Sequence, residues 1–307
     1  MEGRGDVRRR SPLIATASAR CLVDGLFRRS GARRAAVVAM IAAGSALAVA
    51  LLVPNLYSDP NGLDPNDFRL AAVGLLLCAV AHATRRLQAS RAVLLAVLAI
   101  TVSYSALSAL PQFLVDRGVR ISGPALLFWA SLAQFLITLA AMAACLRLPR
   151  ELGPMYRLRH FGRAAALFTL GGVLLVTLGW LLLPAQWFGR EGLPWVALVR
   201  DMPWLIPANI LQAAAQELQF RGMLQGSLER VLPRLAANIG QALFFGFAHL
   251  AVLYQGPLLS FVPLTIGVGL LFGWVAQRTE SLWPVLIAHA VADIVITATV
   301  LYGLYGL

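Results

Sequence analysis

Long stretches of this chain run for about twenty residues with almost no formal charge, and arginine-rich or acidic linkers break them up. Nothing else in the sequence limits the fold as strongly. An apolar run of that length matches the hydrocarbon thickness of a bilayer, where backbone groups must be satisfied inside helices or closed barrels. The chain of 307 residues is 59% hydrophobic and only 13% charged. Soluble domains average about 25% charged residues. The spacing predicts an all-α, polytopic membrane bundle with runs at 35–53, 68–84, 91–110, 124–146, 163–183, 194–224, 235–253, 258–276 and 282–301. That makes nine spans, or eight if 194–224 is re-entrant. Pro203 and Pro207 lie inside the over-long sixth run, where proline removes a helix donor and predicts a break or kink.

The linkers set the expected orientation. Residues 1–34 carry nine arginines and three acids; residues 54–67 carry Asp59, Asp64 and Asp67 and no base. Arg85, Arg86 and Arg91 follow, then five arginines against one glutamate at 147–163, then Arg230, Arg234 and Arg278. Basic and acidic or neutral linkers alternate, as the positive-inside rule requires, with the amino terminus cytoplasmic. The organisation expected is a basic cytoplasmic arm at 1–34, helices of unassigned role at 35–190 and a chemistry-bearing core at 191–307. The net charge of +12 is distributed by topology rather than gathered in one patch, so no nucleic-acid partner is expected and the lipid bilayer is. Every basic residue is Arg, which excludes Schiff-base lysine chemistry and suggests a high-GC bacterial genome and an inner-membrane location. Cys21, Cys78 and Cys145 are scattered and form no metal-ligand pair.

Polar chemistry concentrates in the last third. Glu217 and Arg221 are four apart, hence on one helix face, with the acid on the favoured amino-terminal side. A carboxylate in hydrocarbon costs roughly 2.5–3.5 kcal/mol even on the lenient insertion scale, so the pair is expected to be bonded. Gln212, Gln216 and Gln219 form a second polar stripe. Asn238, Gln241, Phe245 and His249 fall on one face of the next run, and His289, Asp293 and Thr297 on one face of the last. Gly269 and Gly273 form a GxxxG that permits close helix approach. Counting at 1.5 Å per residue puts Glu217 about 20 Å, His249 about 22 Å and His289 about 16 Å from the cytoplasmic Arg230, Arg234 and Arg278. Three runs therefore bring polar groups to a similar depth. The first five runs offer little beyond packing; His82 and His160 read as interfacial.

These residues carry a resemblance. Gln216-Glu217…Arg221, Phe245…His249 and His289…Asp293, with the flanks Phe220-Arg221-Gly222 and Arg278-Thr279-Glu280-Ser281-Leu282-Trp283-Pro284, resemble the motifs Glu-Glu-x-x-x-Arg, Phe-x-x-x-His and His-x-x-x-Asn/Asp of the CPBP (CAAX-processing and bacteriocin-processing, Abi-type) intramembrane endopeptidases. The resemblance covers about residues 200–300. It implies hydrolysis of a peptide bond in a membrane-anchored protein or peptide by activated water. The family's first Glu and two histidines activate water, its Asn or Asp polarises the site, and its second Glu pairs with the motif Arg. The implied catalytic set here is Gln216, Glu217, His249, His289 and Asp293, with Arg221 as structural partner.

Gln216 departs from the pattern at the first Glu, because an amide cannot take a proton at neutral pH. Glu217 replaces it as base through a rotated or unwound helix near Pro207, or His249 or His289 does so, or the chain is a non-catalytic peptide-binding or immunity-type relative. No cofactor is expected. Zinc on Glu217, His249, His289 and Asp293 is the one metal arrangement the residue types allow, with Arg221 competing for the carboxylate. Substrate-binding residues are not assigned.

Overall fold

The structure is a computed structural model. It describes residues 123–146, 161–182, 195–249 and 258–298, together with Leu158 and scattered positions between 92 and 122. All of these fall within the unit Ile41–Leu307. The basic arm and the runs expected at 35–53 and 68–84 lie outside the described residues.

Among the described residues the elements are all helical. They are α1 (Gly123–Leu146), α2 (Arg163–Leu182), α3 (Trp195–Glu217), α4 (Arg234–Ala248), α5 (Leu258–Thr279) and α6 (Trp283–Ile296). A π-helical segment, Leu218–Gln225, and a final α turn, Gly226–Leu228, prolong α3 without a break. The boundaries follow the hydropathy runs closely, because uncharged length decides where a membrane helix starts and stops.

Helix α3 passes through both Pro203 and Pro207; prolines are tolerated in membrane helices because neighbouring elements re-satisfy the freed backbone groups. Regular α geometry gives way further along, at Leu218, directly after Glu217. Of the eight or nine spans expected, two helices among the described residues are long and apolar enough to cross a bilayer by length and composition, Gly123–Ala143 and Arg163–Leu182.

Side-chain contacts give the arrangement. Helices α1 and α3 run parallel: Phe128 meets Trp204 edge-on at 5.7 Å, and further along both, Thr138 meets Gln219. Helices α3 and α6 run antiparallel, joined by Glu217 with His289 and, two turns away, by Asn209 with Thr297 at 2.8 Å. Helices α4 and α5 are also antiparallel and very close. A Cβ on Gly273 would collide with Asn238 Oδ1 and Gln241 Nε2, one on Gly246 would strike Ile266, and one on Gly269 would crowd Ala242. The GxxxG reading therefore holds. Asn238 Nδ2 donates to the Leu270 carbonyl at 3.0 Å and Gln241 Nε2 to that of Gly269 at 2.8 Å, so amides of α4 are bonded to the backbone of α5. Helix α2 lies on α6, where Gly172 faces Ala288. Its other side is bare: Leu167, Leu175 and Leu182 are 70%, 66% and 78% exposed. An apolar face of this extent suits contact with lipid.

Candidate active site

Glu217 is the last α-helical residue before the π segment, and its side chain is fully buried. Its Oε1 accepts two hydrogen bonds, from Arg221 NH1 at 2.8 Å and from His289 Nδ1 at 2.6 Å. A carboxylate only accepts, so the proton between Glu217 and His289 belongs to Nδ1. The second oxygen, Oε2, has no hydrogen-bond partner. The guanidinium of Arg221, fully buried, lies 4.3 Å from the Phe245 ring centroid and 5.5 Å from that of Phe272, a cation over aromatic faces. Across the imidazole, His289 Nε2 stands 3.5 Å from Asp293 Oδ1, an ion-pair distance longer than a good hydrogen bond. Asp293 Oδ2 is buried without a hydrogen-bond partner. One carboxylate thus ties α3 to α6, and a second flanks the same imidazole.

His249 arrives differently. It caps α4, and its own backbone N–H turns to the Gly246 carbonyl. The Phe245 carbonyl is one of the acceptors a helix end leaves over. His249 Nδ1 occupies it at 2.7 Å. Since a carbonyl cannot donate, Nδ1 carries the hydrogen, and the neutral ring keeps its lone pair on Nε2. The Phe245 ring separates the two histidines, with centroid distances of 4.4 Å to His249 and 5.9 Å to His289. His249 is half-buried, whereas His289 is buried.

The residues expected from the sequence therefore divide. Glu217, Arg221, His289 and Asp293 meet in one cluster, and His249 borders it through Phe245. Gln216 is buried on the same turn as Glu217, about 100° around the helix from it. Its Oε1 has no hydrogen-bond partner. The line from Asn238 to His249 is functionally mixed, because Asn238 and Gln241 fasten α5 and only its far end reaches the cluster. Gln219 faces away altogether, donating to Ser103 Oγ at 2.7 Å and Thr138 Oγ1 at 2.5 Å. Ser131, Gln134 and Thr138 on α1 are all fully buried, and the reading of the first five runs as packing overlooked them. Their spacing of three and four residues, the rule applied to the later helices, singles them out as one polar face.

Among the described residues no group of three His, Cys, Asp or Glu side chains is placed to hold a metal ion. Glu217 Oε1 is committed to Arg221 and His289, and His289 Nδ1 and His249 Nδ1 are turned to Glu217 and to a backbone carbonyl.

One comparison with known proteins finds a match over the helices that carry this cluster. Residues 198–295 match the family model described as type II CAAX prenyl endopeptidase Rce1-like. No curated protein and no solved structure matches the chain. The matched segment begins one turn into α3 and ends within α6, so it holds every residue of the cluster and none of α1 or α2. With the apolar helices beside it, the match points to an integral membrane protein. The match covers 98 of the 307 residues, and over that segment the chain is similar to the Rce1-like endopeptidases.

Proposed function

We propose that the chain is an intramembrane endopeptidase that hydrolyses a peptide bond of a membrane-anchored protein or peptide, with His249 Nε2 as the base that activates water. The observation that carries this reading is the bond from His249 Nδ1 to the Phe245 carbonyl, which leaves Nε2 as proton acceptor on a half-buried ring. Water gives a proton to Nε2 while its oxygen attacks the carbonyl carbon. Nε2 then returns that proton to the departing amine nitrogen as the C–N bond breaks, and the ring ends neutral. Glu217 is the brace: its Oε1 is taken up by Arg221 and His289, and that bond fixes α6 against α3. Asp293 orients His289 from the opposite side. The proposed compartment is a bacterial inner membrane with the arm at 1–34 cytoplasmic, which the all-arginine basic set and its linker pattern support.

The experiment is proteolysis by the purified full chain in lipid nanodiscs, on peptides with a prenylated carboxyl-terminal cysteine and on unprenylated membrane-anchored peptides. The wild type is expected to cleave at least one class, and His249→Ala to lower kcat by about 10²–10⁴-fold, the usual share of a general base. Cleavage by His249→Ala at the wild-type rate would remove His249 as base.

A second reading has its own support. Gln216 stands where the family has an acid, and its buried Oε1 has no hydrogen-bond partner. A membrane peptide-binding or immunity-type protein is the function that fits a disabled site. Gln216→Glu separates the two: a large gain in cleavage indicates a site disabled by the amide, and unchanged or lower cleavage indicates that the amide belongs there.

A further inference from the structure

A second cluster of buried polar groups lies on the opposite side of the π segment from Glu217, between α1 and the helical residues around Ser103. Its wiring can be followed hydrogen by hydrogen. Ser103 Oγ spends its proton on the Ile100 carbonyl at 2.9 Å, and Thr138 Oγ1 spends its own on the Gln134 carbonyl at 2.8 Å. Both hydroxyls can therefore only accept, and Gln219 Nε2 donates one hydrogen to each. Both amide hydrogens of Gln219 are used in this arrangement. Gln219 Oε1 is left without a hydrogen-bond partner. One turn back along the same face of α1, Gln134 has neither amide atom bonded, and Ser131 Oγ is also unbonded. All five side chains are 0% exposed.

Four buried polar atoms without hydrogen-bond partners, on α1 and on the π segment that packs against it through Thr138, are not a tolerable dry arrangement. A buried amide or hydroxyl without a partner costs about 1–3 kcal/mol, and native proteins meet that demand with ordered water when the site is polar. We propose that α1 and the π segment enclose a hydration chamber behind the candidate site, in which ordered water is bound by Ser131 Oγ, the Gln134 amide and Gln219 Oε1. Water suits this lining because Gln134 offers both a donor and an acceptor, Gln219 Oε1 needs a donor, and none of the five residues carries charge. A cation would satisfy the oxygens and leave Gln134 Nε2 facing it with its own hydrogens. Gln219 lies on the hydrated side of the π segment, while Glu217 faces His289 of α6 and Arg221 faces Phe245 of α4 and Phe272 of α5. Nothing in this inference depends on whether the chain is a protease.

The test is a structure of the full chain in nanodiscs at a resolution that shows solvent, collected in sodium-containing and in sodium-free buffer. Density is expected within hydrogen-bonding distance of the Gln134 amide and of Ser131 Oγ or Gln219 Oε1, unchanged without sodium. Gln134→Leu is expected to lose that density while Glu217 and His289 stay in contact. Should Gln134→Leu fail to fold, Ser131→Ala is expected to lose the water held by the hydroxyl. Direct pairing of these atoms with protein groups and no solvent between them overturns the proposal, as does density that vanishes with sodium or survives in Gln134→Leu.

Discussion

At the scale of single residues, Glu217 is the side chain with the most depending on it. It is the bonded carboxylate for Arg221 and for His289, and neither it nor Arg221 has any exposed surface. Removing one member of such a pair leaves the other as an uncompensated charge in a low-dielectric interior, which typically costs about 3–5 kcal/mol. Glu217→Ala is therefore expected to destabilise the fold by that amount in reversible unfolding in mixed micelles, even before activity is considered. Asp293→Asn should cost far less, about 1 kcal/mol, since its 3.5 Å contact with His289 is beyond good hydrogen-bond length. Equal losses for the two variants would show that the cluster is not centred on Glu217. The sequence made the Glu217–Arg221 pair legible, because an i,i+4 acid and base in an apolar run have few other solutions. It could not reveal that His289 shares the same oxygen. That contact joins residues 72 apart, and only the antiparallel packing of α3 on α6 creates it.

At the scale of elements, two features of the α3–α5 region have opposite visibility in the sequence. The close approach of α4 and α5 was readable, because Gly269 and Gly273 with amides on the facing helix have a direct steric meaning. The π segment Leu218–Gln225 was not, since one wider turn leaves no mark on hydropathy and its residues are those of an ordinary helix. The polar face of α1 went unread for a different reason, namely that Ser, Gln and Thr carry no charge to stand out from an apolar run. Glycine substitutions test the packing. Gly273→Ala places a methyl onto Asn238 and Gln241 and is expected to cost about 1–3 kcal/mol, as overpacking generally does. Gly171→Ala meets nothing within 4 Å and is expected to be neutral or to stabilise by up to about 1 kcal/mol through helix propensity. Thermal denaturation of both variants in the same lipid distinguishes steric contact from a general intolerance of change.

At the scale of the whole molecule, what separates this chain from a soluble helical protein is where its apolar surface goes. The candidate site lies among buried polar groups, while α2 turns leucines outward along its length and only 6% of its apolar window is buried. That inversion is the expected signature of a bundle whose solvent is lipid, and uncharged length in the sequence already implied it. Leu175 lies near the middle of α2, is 66% exposed, and has no role in the cluster. An arginine there has no partner and must either face hydrocarbon or pull the helix out of register. Leu175→Arg is accordingly expected to lose about 2.5–3.5 kcal/mol in an insertion assay that scores glycosylation on either side of the membrane, the cost of Arg at a helix centre. Leu175→Ala at the same position should insert nearly as well as wild type. If Leu175→Arg inserts as well as Leu175→Ala, the outer face of α2 is turned to water or to protein, and the site between α3, α4 and α6 must be reached from a different surrounding than lipid.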